Sequence, residues 1–339
     1  MLRPDRMRRL SLGAVVLLLA VACGDGGGAD EGGDAAGELP VVKLHALEGG
    51  LSSMALRIIE QNGFDEENGF QGEYFDVSGD ASVQFLLQGN SDVSFDGDPV
   101  TAALLRSQGH DITTFYPMVV QDVSLVVRGD SPHQSAQDLL GERVGHDGLE
   151  SGSMTAANIM LAQFEDIQIT EDYDLQLVPE PALVRLVDRG ELEASFLAQP
   201  FILTAELQFG MRTVWGPGWQ EWEEARGGRA WNISLMASEQ WLRDNPELAR
   251  GVTAAWDDAY GWIQEDPERL RQFQEEIGIE DPEVMDAFIE LVRTSEYFTN
   301  RWTEEDVEAA TAFIEFAAEE GSIIQEAPEG SAISLDELE

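Results

Sequence analysis

From Val41 to Phe209 short β-type runs alternate with helical segments, an order that suits an open α/β sheet. Strands are expected at Val41–His45, Glu73–Val77, Asp92–Phe95, Ile112–Val119 and Val123–Val127, with helices at Ser52–Asn68, Ala81–Gln88 and Pro99–Gln108. Pro99 suits a first helical turn, where a missing N–H leaves no bond unmade. At Arg128-Gly129-Asp130-Ser131-Pro132 turn chemistry breaks the pattern, and a second, smaller unit begins. Its strands are read at Arg143–His146, Leu175–Val178 and Ala194–Leu197, and its helices at Ser153–Phe164, Ala182–Asp188 and Pro200–Phe209. Trp215–Trp219 and Arg226–Arg229 read as loops, and Trp231–Met236 as a strand returning to the first unit.

This organisation predicts an α/β protein of two lobes joined by two crossings. Residues 41–128 and 231–339 make lobe one, and residues 129–230 make lobe two. From Ser238 the chain is helical, with proline starts at Pro246, Pro267 and Pro282 and a capping pattern at Thr303–Asp306. These helices should clad lobe one. Trp256, Tyr260 and Trp262 lie on an amphipathic stretch and are read as core rather than as an aromatic ligand cage. The end from Pro328 is expected to fray.

Ahead of the folded region, Arg3, Arg6, Arg8 and Arg9 precede an apolar run, Leu10–Ala22, that ends at Cys23. The run is short for a permanent span, and the small residues before the cysteine suit a signal peptidase. Residues 1–22 are therefore expected to be an export signal. Leu19-Ala20-Val21-Ala22-Cys23 resembles the bacterial lipobox, which implies lipid on Cys23 and attachment to the outer face of the cell membrane. The alternative is an ordinary secretory peptide with an incidental cysteine. The Gly/Asp-rich stretch 23–40 has no apolar periodicity and reads as a tether.

Loss of residues 1–22 removes four arginines and Asp5, leaving 16 basic against 64 acidic residues. So negative a chain excludes nucleic acid as a partner. Eight tryptophans, fifteen phenylalanines and 43% hydrophobic residues argue for a folded core under an acidic surface. Salt relieves such self-repulsion, since the Debye length falls to about 3 Å near 1 M. A saline habitat is the expectation.

Several segments resemble the ABC-transporter binding proteins for nitrate, taurine, aliphatic sulfonates and thiamin-pyrimidine precursors. The carriers are Gln84–Val93, Asp96-Gly97-Asp98-Pro99-Val100, Ser124–Arg128, Ala136–Gly145 and Arg189–Ala194, in the family's order and spacing. The resemblance implies the type 2 periplasmic-binding-protein fold. It also implies an interlobe cleft that closes on one small solute, sulfonate, taurine, nitrate or pyrimidine-like, which a partner, an ABC permease, then takes from a monomer.

In open α/β sheets ligands lie beyond the carboxyl ends of strands. That rule selects Glu48, Gly50 and Ser52 after the first strand, and Gly97 and Asp98 after the third. Near the crossing it selects Gln121 and Asp122. In lobe two it selects the helix-opening turn with Ser151, Ser153, Met154 and Thr155, then Gln199. Trp231 could stack on a flat ring. The hydroxyl-rich turn suits an anion, whereas Glu48, Asp98 and Asp122 would repel one and favour a cationic or neutral ligand.

No nucleophile elbow, P-loop or dinucleotide fingerprint appears, and His45, His110, His133 and His146 are isolated, so neither an enzyme, a cofactor nor a metal site is expected. A fungal branch of the same family makes the pyrimidine with a cysteine-rich motif, which a single cysteine does not supply. Asn232-Ile233-Ser234 fits a glycosylation sequon by chance. The alternative function is a solute sensor of the same fold signalling to a membrane partner.

Overall fold

The computed structural model describes residues 39–338, apart from 150, 227 and 322. Residues 1–38, which hold the expected export signal, Cys23 and most of the expected tether, lie outside the described residues.

The first lobe opens with β1 (Val41–Leu47), α1 (Leu51–Asn62), α2 (Phe64–Glu67), β2 (Gln71–Val77), α3 (Gly79–Leu87), β3 (Val93–Gly97), α4 (Pro99–Ser107) and β4 (Ile112–Val120). The second contains β5 (Ser124–Val127), β6 (Arg143–His146), α5 (Gly152–Glu165), α6 (Ile169–Asp172), β7 (Asp174–Leu177), α7 (Glu180–Asp188), β8 (Ala194–Leu197), α8 (Phe201–Phe209), β9 (Arg212–Trp215) and α9 (Gly218–Arg226). The chain returns through β10 (Trp231–Ser238) and ends in α10 (Glu239–Asp244), α11 (Pro246–Glu265), α12 (Pro282–Thr294) and α13 (Glu304–Glu320).

Each lobe has a five-stranded sheet, in the orders β2-β1-β3-β10-β4 and β7-β6-β8-β5-β9. In both, the early strands run parallel and one returning strand pairs antiparallel, β10 beside β3 and β5 beside β8. The sheet of the second lobe is thus not smaller than that of the first, as had been expected, because two further strands complete it. One is β5, which had been expected in the first lobe but bonds to β8 and β9. The chain therefore crosses at residues 121–123, ahead of the turn at Arg128–Ser131. The other is β9, for which no element had been expected; of the expected Trp215–Trp219 loop only Gly216 and Pro217 remain, since Trp215 ends β9 and Gly218 and Trp219 begin α9.

The described chain from Leu39 onward clusters as one compact unit. Its main apolar core is continuous, uniting Phe115, Val119 and Leu235 of lobe one with Val144, Ala157 and Met160 of lobe two. The lobes are thus closed on one another, with α5 packed against α4, α13 and β10. Trp256 lies fully inside this core, and Tyr260 and Trp262 pack against it. The capping box at Thr303 and Asp306 forms, satisfying two helix-start N–H groups reciprocally.

The end of the chain does not fray. Ser331 and Ile333 hydrogen-bond to Thr114 on β4, and the Trp302 indole donates to the Ile333 carbonyl at 2.8 Å. These backbone bonds hold a segment whose sequence shows little periodicity.

Candidate functional site

The seam between the lobes is built by loops at the carboxyl ends of β3, β4, β6 and β8. Asp98 caps α4: its Oδ1 accepts from the N–H groups of Val100 (2.9 Å) and Thr101 (3.0 Å), and its Oδ2 accepts from the Thr101 hydroxyl. Gly97 precedes it because a Cβ there would stand 2.2 Å from Cγ of Met236 on β10. Across the seam, Ser151 caps α5 by accepting from the Met154 N–H, and its hydroxyl donates to Asp147. Gly152 brings this turn close to the first lobe. A Cβ on Gly152 would lie 3.4 Å from both Asp98 Oδ2 and the Asn232 carbonyl oxygen.

Side-chain hydrogen bonds cross the seam among the described residues. Gln121 Nε2 donates to the Gly152 carbonyl at 3.3 Å, and the Ser153 hydroxyl donates to Asn232 Oδ1 at 3.4 Å. At the crossing, Asp122 Oδ2 accepts from the Gln199 N–H of lobe two at 2.9 Å and from the Tyr297 hydroxyl of lobe one at 3.1 Å. Asp122 Oδ1 is buried with no hydrogen-bond partner.

The structure therefore brings Gly97, Asp98, Gln121, Asp122, Ser151, Ser153 and Gln199 around one seam. Met154 and Thr155 are buried one step into α5. Trp231 is also buried, its ring 6.1 Å from that of Trp302, and its indole N–H has no partner. The first loop is engaged elsewhere. Glu48 is exposed, Gly50 N–H donates to the Glu276 carbonyl, and the Ser52 hydroxyl accepts from the Leu47 N–H within its own turn. Sequence reasoning missed Asn232, Tyr297 and Asp147. Asn232 was visible only as a sequon. Asp147 ends β6 in the position that the strand-end rule favours.

Burial governs the electrostatics. Asp122 is pushed up to about 6, despite the two donors on its Oδ2. Asp96, partly buried beside Asp98, is pushed up to about 7. Asp98 and Asp147 are also raised, burial being the first cause in each. Behind Asp96 runs a buried relay. Ser82 donates to Asp96, and the His45 imidazole lies 3.1 Å from Ser82 and 2.6 Å from Ser91. Burial lowers His45 to about 4, which keeps it neutral.

These shifts set a pH response. The folded state holds the protons of Asp96 and Asp122 more tightly than the unfolded chain does. Their contribution to stability is full below about pH 4 and is lost as pH rises through about 6 and 7. His45 and His146, both lowered by burial, act oppositely and lose stability as pH falls below about 6.5, but four carboxyl groups, Asp96, Asp98, Asp122 and Asp147, are raised against them. The melting temperature should fall between about pH 5 and 7.5, and Asp96→Asn should flatten the upper part of that fall. An unchanged slope in Asp96→Asn would assign the effect to other acids.

No family model and no curated protein matches the chain in sequence. Solved structures do match in fold. The aliphatic sulphonate binding protein SsuA from Escherichia coli superposes with a TM-score of 0.66 at 14% identity, over 85% of this chain and 89% of that one. The alkanesulfonate-binding SsuA from Xanthomonas axonopodis pv. citri, bound to MOPS, gives 0.66 at 13%, over 88% and 100%. A desulfurization enzyme, DSZB, gives 0.57 at 16%, over 88% and 96%, so the fold also carries catalysis. A Candida albicans protein described as having the generic periplasmic binding protein fold gives 0.60 at 15%, over 87% and 97%. Two lobes, two crossings and a seam lined from both sides give this chain the fold of the periplasmic binding proteins.

Proposed function

We propose that this chain is an extracytoplasmic solute-binding protein that encloses one small solute in the interlobe seam and delivers it to an ABC importer. The observation that carries the reading is the pair of seam-spanning contacts, Gln121 to Gly152 and Ser153 to Asn232. Loops from opposite lobes meet there with polar groups, the arrangement a hinge-closing binder needs. Likeness in fold to sulfonate-binding proteins supports the same role. The export signal and the lipobox-like Cys23 add the placement: a monomer held by lipid at the outer face of the membrane, beside its permease.

Binding of a solute to the folded state alone raises the melting temperature. A thermal-shift screen of small solutes should therefore find one that stabilises the protein. Ser153→Ala combined with Asn232→Ala should then weaken that solute several-fold, since neutral hydrogen bonds contribute about 0.5–1.5 kcal/mol each. Full affinity in the double variant would move the site out of the seam.

A further inference from the structure

The connector between α12 and α13, residues 295–303, runs back along β4 to the crossing. Backbone bonds fix it to lobe one: the Thr299 N–H donates to the Met118 carbonyl at 2.9 Å, and the Val120 N–H donates to the Tyr297 carbonyl at 3.2 Å. The Tyr297 ring meets Phe288 of α12 and Phe298 edge-on, with centroids 5.8 and 5.2 Å away. So held, Tyr297 is 3% exposed, and its hydroxyl donates to Asp122 Oδ2 at 3.1 Å.

Asp122 belongs mechanically to the other lobe. It stands two residues ahead of β5, whose Ser124 lies opposite Leu197 of β8. Continuing that antiparallel register places Asp122 opposite Gln199, and the Gln199 N–H donates to the same carboxylate oxygen at 2.9 Å. Lobe two thus fixes the carboxylate, and lobe one reaches it through one hydroxyl. We propose that Tyr297 is a closure latch, a positioning residue that holds the lobes shut through Asp122 without touching the solute. Its effect on affinity rests on the solute-binding reading above; the latch itself does not.

The relative strengths of the contacts single out Tyr297. Glu296, its neighbour on the connector, pairs with Arg229 at the second crossing, but its side chain is 69% exposed, and so open a pair contributes little. The seam contacts of Gln121 and Ser153 are long, 3.3 and 3.4 Å, and join uncharged groups. The Tyr297 bond is shorter, buried and made to a carboxylate, which roughly doubles a hydrogen bond's strength. Rotation about residues 121–123 would carry Asp122 away with lobe two while the backbone bonds keep Tyr297 on β4.

The test reads the lobes directly on the full chain at pH 8, with no solute present. Nitroxides on Glu73→Cys of β2 and Leu177→Cys of β7 report the interlobe distance by pulsed electron resonance, with Cys23→Ser removing the native thiol. Both positions are exposed and lie on the outermost strand of their sheet, away from the crossing. Wild type should give a short distance. Tyr297→Phe keeps the ring and removes only the hydroxyl, and it should raise the ratio of open to closed molecules at least about tenfold. Tyr116→Phe is the control, because that hydroxyl bonds Asp257 and the Asn300 carbonyl inside lobe one. It should lower the melting temperature without moving the lobes, as Tyr297→Phe would if Tyr297 were merely structural. A wild type already open, a Tyr297→Phe distance equal to that of wild type, or an equal shift in both variants overturns the latch. Any of these leaves the solute-binding reading untouched, since no solute enters the measurement. A solute screen that finds nothing would defeat that reading and leave the latch standing.

Discussion

Tryptophan in place of Gly152 should hold the two lobes apart. Gly152 is the first residue of α5, and a Cβ there would already be in van der Waals contact with Asp98 and the Asn232 backbone at 3.4 Å. An indole has no room to follow. The wedge would break the Gln121 and Ser153 contacts and prevent the seam from enclosing a solute. Affinity should fall at least about 100-fold, equivalent to about 2.7 kcal/mol. Small-angle scattering should show a larger radius of gyration than the wild-type protein has, a readout that needs no solute. Unchanged scattering and affinity would show that closure does not pass through Gly152.

The largest loss of stability is expected for Trp256→Ala. The side chain is fully buried, its indole N–H donates to the Thr299 carbonyl at 2.8 Å, and its ring lies 6.2 Å from that of Phe298. Truncating a core tryptophan costs about 3–5 kcal/mol through lost burial and the cavity left behind. Here the Thr299 carbonyl also loses its donor. Chemical denaturation should show a lower midpoint with an unchanged slope. Thr299 stands two residues after Tyr297, whose hydroxyl holds Asp122, so the variant should also loosen the crossing. A cost below about 1 kcal/mol would mean that neighbouring side chains refill the cavity.

Much of the fold was legible because hydrophobic period and turn chemistry are local. Pro99 at the start of α4, the box at Thr303 and the run at Ser124–Val127 each declare an element from its own residues. What they do not declare is partnership. The four residues Ser124–Val127, three of them apolar, bond equally well into either sheet, and only β8 and β9 decide which. Arg212–Trp215 was missed because it is short, begins with a charge and runs into Gly216-Pro217. The seam was legible where it follows strand ends, as at Asp98, Gln121 and Ser151. Asn232 and Tyr297 were not, since their partners Ser153 and Asp122 lie 79 and 175 residues away.

The last residues also bear on how the folded chain avoids its own copies. β4 is the outermost strand of the first sheet, nine residues long and largely apolar. Its free edge is taken up by the chain itself: Tyr297 and Thr299 bond to Val120 and Met118, and Ser331 and Ile333 bond to Thr114. An uncovered edge of this kind is a template for strand addition from another molecule. A product that stops before Ser331 would bare the Thr114 end of that edge. Ser331 to Ile333 thus act as a selvedge on this end of β4, occupying the edge on which a second molecule could otherwise knit a strand.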